Sequence, residues 1–273
     1  MTLKDSLILV GCLVFSASLS VRAEVSVYEV EFSDFDEVIL EGSHELELSV
    51  GAPFDIRVQG ASTRDVLVAQ EGHTLHLGIP KRSSQKNPQV KFRVSLPILK
   101  KAVVASSGHL FLQSVSSTEP LTLTVKGSGA IYAKSLTVDE LTAQIGGSGR
   151  IEVASAEVST LVNNIGGSGN TVFGDLTAGN VSVSIAGAGD LEILNPSKII
   201  YSLTANLSGS GGIAAKTTDI DHLSTNVIGS GDIEVATAST IRANIIGSGN
   251  VRYRGEASVS SSVLGSGEVE RID

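Results

Sequence analysis

Four glutamates recur at one fixed place, five residues after the first glycine of a Gly-Ser-Gly triplet or its one variant. They are Glu152, Glu192, Glu234 and Glu270. Every second triplet carries one, so in a stack of coils consecutive glutamates would lie two coils apart, roughly 9.6 Å. Carboxyl groups of inverting glycosidases are separated by about 6.5–9.5 Å, so distance alone allows hydrolysis of a glycosidic bond. These side chains are expected to point to solvent, however, where no apolar surroundings create a general acid. We interpret them as charges on a solvated face.

Paired carboxylates are candidate ligands for a cation. Asp190 with Glu192 and Asp232 with Glu234 each lie on one face of a strand, as do Glu268 and Glu270. Two carboxylates bind Ca²⁺ only when carbonyls or water supply further oxygens. Cation binding by the first two pairs is therefore left open.

Other reactive side chains give no recognisable site. His73 and His76 are three residues apart in a strand, so they face opposite sides and do not form a pair of zinc ligands. Serine recurs in nearly every triplet, as a structural residue would, and no nucleophile elbow surrounds it. A phosphate-binding loop requires a lysine and a helix after its glycines, and neither follows the triplets. We assign no catalytic residue, cofactor-binding residue or metal ligand, expect no cofactor, and expect the protein not to be an enzyme.

The triplets are the element that must position all of these residues. Their first glycines, with Gly187 in the Gly-Ala-Gly variant, are separated by 20, 20, 20, 22, 20, 18 and 18 residues. A near-constant period of this length indicates a stacked repeat. The first glycines are Gly127, Gly147, Gly167, Gly187, Gly209, Gly229, Gly247 and Gly265.

Aliphatic columns around the triplets define the repeat unit. The residues six and two places before the first glycine are Leu, Val or Ile in every unit, and four places after it only Thr171 departs from this pattern. Apolar and polar residues alternate, which is the spacing of strands. Three places before the glycine the residues are uncharged and polar, which predicts ladders of side-chain amides and hydroxyls. We expect the glycines to occupy a corner that requires positive φ.

The sequence therefore predicts an all-β chain folded as a single-stranded parallel β-helix with coils of about 20 residues. Each coil buries its apolar columns only against its neighbours. Residues 24–273 are expected to form one domain, with less regular strands over 24–98 and regular coils over 99–273. Ser106-Ser107-Gly108 is interpreted as a degenerate first triplet.

Residues 1–23 have the features of a signal peptide: Lys4, an apolar run from Leu7 to Leu19, and small residues at Val21 and Ala23. Cleavage after Ala23 would leave no transmembrane segment and predicts a protein exported to the periplasm or the cell surface. Leu9-Val10-Gly11-Cys12 also matches a lipoprotein box. The apolar run before Cys12 is short, so lipid attachment there is the minor alternative.

The charge of the exported chain limits its partners. Removal of Lys4, Arg22 and Asp5 leaves 18 basic and 28 acidic residues, a net charge of −10. Such a surface disfavours nucleic acid.

Several segments resemble one known family. They are Phe35-Asp36-Glu37-Val38, the strand-turn-strand from Glu45 to Val58, Glu71-Gly72-x-x-Leu75, and the Gly-Ser-Gly-[Asp/Asn]-[Ile/Val] repeats. The chain is similar to the auto-transporter adhesin, head GIN domain family. The resemblance implies an exported bacterial right-handed β-helix with no defined catalytic residues.

The function expected from these features is a non-catalytic binding or adhesin-like scaffold at the cell surface or in the periplasm. The partner is unidentified; a glycan or an envelope protein along a lateral face would fit. A polysaccharide-active enzyme and a purely structural envelope protein are the alternatives.

Overall fold

The computed structural model describes residues 27–29, 32–60, 66–79, 90–196 and 199–272. These residues form twenty β-strands and no helix, and so no helix among them could cross a membrane. The all-β prediction is confirmed. The expected signal peptide and Cys12 lie outside the described residues.

The regular part of the chain is a parallel stack in which each coil pairs with the next. Leu141 is in register with Leu161, Val181 with Leu203, and Ile241 with Val259, so the offset follows the interval between triplets. The predicted β-solenoid is confirmed. Its strands are β10 (Leu121–Val125), β11 (Ala130–Ile145), β12 (Arg150–Ile165), β13 (Asn170–Gly187), β14 (Asp190–Pro196), β15 (Ile200–Gly209), β16 (Ile213–Gly229), β17 (Ile233–Gly247), β18 (Asn250–Arg254), β19 (Ser258–Gly265) and β20 (Glu268–Arg271).

The first strands join the same stack but not in chain order. β2 lies between β6 and β8 and is parallel to both, while β3 lies in the same way between β7 and β9. At the outer edge, β4 pairs with β7, β1 with β4 and β5 with β6, all antiparallel. The strands are β1 (Val27–Glu29), β2 (Glu37–Leu40), β3 (Glu45–Val50), β4 (Asp55–Gln59), β5 (Leu67–Glu71), β6 (Thr74–Gly78), β7 (Lys91–Leu96), β8 (Lys101–Val104) and β9 (His109–Ser116).

The aliphatic columns form one continuous core. The residues six and two places before each first glycine are buried in every coil before β19, and Ile165 is 1% exposed. The residues four places before it, which include Ala143 and Asn163, are buried as well. Thr171 is also internal, and its hydroxyl donates a hydrogen bond to Asn163 Oδ1 at 3.0 Å. The one polar residue of the otherwise aliphatic column thus has a buried polar partner.

Close approach of the backbone explains the glycines more generally than backbone dihedral angles do. A Cβ on Gly147 would lie 2.5 Å from the carbonyl oxygen of Gly127, and one on Gly149 would lie 2.4 Å from that of Gly129. The expected positive φ occurs at the first glycine of the last five triplets, such as Gly187 at 139°, but not at Gly147. The short distance between coils therefore explains why the first and third positions of every triplet are glycine.

The corner formed by the triplets continues into the first coils. Gly129 N donates to the carbonyl oxygen of Ser106, and Ser107 N donates to that of Gly42. Ser106-Ser107-Gly108 therefore occupies the corner as interpreted, and Gly42-Ser43-His44 occupies it one coil further along.

We predict that Ile165→Asp lowers the free energy of unfolding by about 4 kcal/mol or more, because it buries a charge without a partner in the core. The adjacent Asn164→Ser faces outward and should change it by less than about 0.5 kcal/mol. Thermal and urea unfolding of the two variants beside the wild type measures both effects. Similar losses would mean that the inward and outward columns are assigned to the wrong sides.

Candidate functional site

The stack places the four recurring glutamates in one outward column, as the sequence predicts. In register, Glu152 is followed by Val172, Glu192, Ala214, Glu234, Arg252 and Glu270. Three of the glutamates form salt bridges: Glu152 with Arg150 at 3.1 Å, Glu234 with Lys216 at 3.3 Å, and Glu270 with Arg252 at 3.8 Å. Partly exposed, ion-paired carboxylates lack the apolar surroundings of a general acid.

The same lateral face carries a denser ion-pair cluster in the first coils. Lys91 Nζ lies 2.6 Å from Glu47 Oε1 and also contacts Glu45, while Arg93 Nε lies 2.7 Å from Glu47 Oε2. Hydrogen bonds from Lys91 and Arg93 lower the pKa of Glu47, and those to Glu45 and Glu47 raise the pKa of Lys91. Both shifts favour the charged forms, which suits a structural ion pair. We call this side, which includes the residues three and five places after each first glycine, the charged face.

The aspartates of the acidic pairs hold the backbone of the next coil. Asp190 Oδ1 accepts a hydrogen bond from Gly212 N at 2.8 Å, and Asp232 Oδ1 accepts one from Asn250 N at 2.9 Å. Asn250 Oδ1 in turn accepts one from Glu268 N at 3.2 Å. An Asp or Asn directly after the triplet thus caps an amide at the corner of the following coil. Among the described residues, no group of three or more His, Cys, Asp or Glu side chains could hold a metal ion.

The histidines have separate surroundings. His73 Nδ1 lies 2.7 Å from the carbonyl oxygen of Asp34, whereas His76 Nδ1 lies 3.5 Å from Glu41 Oε1. Burial lowers the pKa of His44, whose ring packs edge-on against another aromatic ring. His73 lies in the turn before β6 and not in a strand, whereas His76 lies within β6.

A second lateral face differs sharply from the charged face. It consists of the residues one, three and five places before each first glycine from Gly127 to Gly265, which alternate with the buried columns. None of these residues is acidic, and only Lys126 and Arg242 are charged. We call it the neutral face. In a chain with 29 acidic residues, this side is free of negative charge over eight coils.

The neutral face contains an open groove of about 460 Å³ over β15, β16, β17 and β19. Asn244 Nδ2 donates a hydrogen bond at 2.8 Å to Asn226 Oδ1 on the neighbouring coil, which is one step of the predicted amide ladder. Thr124 and Gln144 form another step at 3.4 Å in the first part of the stack. The outward lining of the groove is Thr204, Asn206, Ser224, Asn226, Arg242, Asn244, Ser260 and Ser262.

An apolar strip borders this groove along the corner. Ile228, Ile246 and Leu264 are in register on successive coils and are 46%, 42% and 71% exposed. The groove therefore offers hydrogen-bonding groups beside an aliphatic edge, a combination typical of binding sites. The polar column was predicted from the sequence, but the neutral face as a whole was not. Its sequence signal is that none of the residues one, three or five places before each first glycine is acidic.

A family model described as "Putative auto-transporter adhesin, head GIN domain" matches residues 34–201 and 199–257. The chain belongs to this family. The matched residues include most of the head GIN stack, with the part of the groove that β15, β16 and β17 form. No curated protein matches the sequence.

Solved structures share the fold of this head GIN protein. A putative adhesin from Parabacteroides merdae has a TM-score of 0.66 at 17% identity, with 92% of this chain and 97% of that chain covered. A putative lipid binding protein from Parabacteroides distasonis has a TM-score of 0.62 at 21% identity, with 91% and 98% covered. At these identities the likeness shows the fold alone.

Asp190→Ala should lower the free energy of unfolding by about 1 kcal/mol, since it leaves the amide of Gly212 without its acceptor. Asp190→Asn keeps an acceptor oxygen and should cost less, and Glu192→Gln on the same strand should change the value by less than about 0.5 kcal/mol. Urea unfolding with and without Ca²⁺ measures these effects. Stabilisation of the wild type by Ca²⁺, lost in both Asp190 variants, would show instead that the acidic pair is a cation site.

Proposed function

We propose that this protein is an exported, non-catalytic scaffold that binds an elongated ligand along its neutral face. The observation that carries the proposal is the groove, which lies on the side of the stack without acidic residues. A chain of ligand units running along the stack would meet similar hydrogen-bonding groups at each coil, at a repeat of roughly 4.8 Å.

The polar side chains of the groove suit binding better than catalysis. Asn206, Asn226 and Ser262 supply amides and a hydroxyl but no carboxylate, imidazole or thiol. The carboxylates with a spacing suited to hydrolysis lie on the charged face, where salt bridges engage Glu234 and Glu270. A polysaccharide-active enzyme is the alternative. Turnover of an acidic polysaccharide that is abolished by Glu192→Gln or Glu234→Gln would support that alternative.

Export to the periplasm or the cell surface is part of the proposal. The signal-peptide features of residues 1–23 support it, and so does the adhesin description of the family. A lipid on Cys12 would tether the scaffold and is the minor alternative. We expect a glycan or an envelope protein as the partner, not nucleic acid, because the chain is strongly acidic. A purely structural role in the envelope would need no groove at all.

The proposal predicts that a charge in the groove weakens retention on bacterial cell-envelope preparations. Asn206→Glu places a carboxylate among neutral donors and acceptors, whereas the control Ser116→Glu places one on an exposed position of β9 away from the neutral face. Cosedimentation of both variants and the wild type with the preparation measures retention. We expect a loss of at least about tenfold in affinity for Asn206→Glu only. Equal retention of all three proteins would mean that the neutral face is not the binding surface.

A further inference from the structure

Arg242 differs from every other arginine in the described part of the chain. It is exposed in the groove, and the described residues offer it neither an ion pair nor a hydrogen bond. Each of the other arginines in the described residues contacts a carboxylate, as expected in a chain with more acidic than basic residues. These pairs are Arg57 with Asp55, Arg93 with Glu47, Arg150 with Glu152, Arg252 with Asp232, Arg254 with Glu234, and Arg271 with Glu256.

The surroundings of Arg242 favour an anionic group on a hydroxyl-rich molecule. In register, Arg242 lies between Ser224 and Ser260, and the amides of Asn226 and Asn244 flank it two residues further along. An unpaired guanidinium offers two parallel donors that fit a carboxylate. The amides and hydroxyls beside it match the alternating donors and acceptors of sugar hydroxyl groups.

We infer that the groove binds a glycan that carries carboxylates, with the guanidinium of Arg242 holding one carboxylate and the adjacent amides and hydroxyls holding the sugar hydroxyls. This inference rests on the neutral face being the binding surface. The apolar strip of Ile228, Ile246 and Leu264 is placed to contact the aliphatic side of the sugar rings.

The density of positive charge distinguishes this ligand from nucleic acid. The groove spans four coils, about 14 Å at the spacing of paired strands, and contains one cation. A nucleic acid strand carries a negative charge about every 3.4 Å and would place several phosphates against this single arginine. A glycan with acidic groups on only some of its units fits the groove better.

The test compares two forms of one ligand: a galacturonate oligomer with most of its carboxyl groups methyl-esterified and the rest free, and the same oligomer with all of its carboxyl groups methyl-esterified. Calorimetric titration of the wild type should give an affinity for the acidic form at least about tenfold higher, which is what one charge-assisted pair supplies. Arg242→Gln should bind both forms equally weakly. Ser224→Glu should behave in the same way, because it places a carboxylate in register with Arg242.

Lys126→Gln is the matched control, since Lys126 is the other cation of the neutral face and lies six coils from Arg242, outside the groove. Its affinity for the acidic form should equal that of the wild type, and thermal melts confirm that all variants fold.

Equal binding of the two forms by the wild type, or unchanged binding by Arg242→Gln, would overturn the inference while leaving the scaffold proposal intact. Failure of the wild type to bind either form would also overturn it. The scaffold proposal itself is decided by the Asn206→Glu cosedimentation.

Discussion

The contact between glycines of successive coils is the constraint on which the rest of the structure depends. A Cβ at the first or third position of a triplet would lie 2.1–2.5 Å from a backbone oxygen of the coil below, closer than real Cβ atoms approach. The same carbonyls accept backbone hydrogen bonds, for example from Ser168 N to Gly147 O at 3.0 Å. The corner thus fixes both the distance and the register between coils. Once the register is fixed, each position in the repeat becomes a column along the whole stack.

Columns of this kind give the two lateral faces different chemistry. On the charged face, Asp and Asn side chains cap amides of the next coil, and glutamates pair with Arg and Lys on neighbouring coils. On the neutral face, small polar residues and a few aliphatic ones repeat without any acidic group. Carboxylates that stabilise the stack are therefore kept away from the groove. A ligand that approaches the groove meets one unpaired guanidinium, at Arg242, and no fixed negative charge on that face.

The period, the aliphatic columns and the fold class could be predicted from the sequence, because in a stack of coils each repeat contacts mainly its neighbours. The position of β2 between β6 and β8 could not, since it depends on pairing between strands that do not follow one another in the chain. Asn163 and Thr171 are eight residues apart, and only the folded coil shows that they share a buried hydrogen bond. The capping role of Asp190 had a sequence signal in the Asp or Asn that follows several triplets. No sequence signal shows that Arg242 lacks an ion-pair partner, because pairing depends on which residues surround the guanidinium in three dimensions.

The most direct test of the glycine constraint compares two adjacent residues of one corner. A Cβ on Gly167 would lie 2.3 Å from Gly147 O, whereas one on Gly166 would lie 3.8 Å from Ile145 O, an ordinary contact. Neither residue has positive φ, so backbone strain does not distinguish them. Urea unfolding should show that Gly167→Ala loses about 1–3 kcal/mol, as expected when the backbone must shift, and that Gly166→Ala changes by less than about 0.5 kcal/mol. Equal losses in the two variants would contradict the view that close approach between coils dictates the triplets.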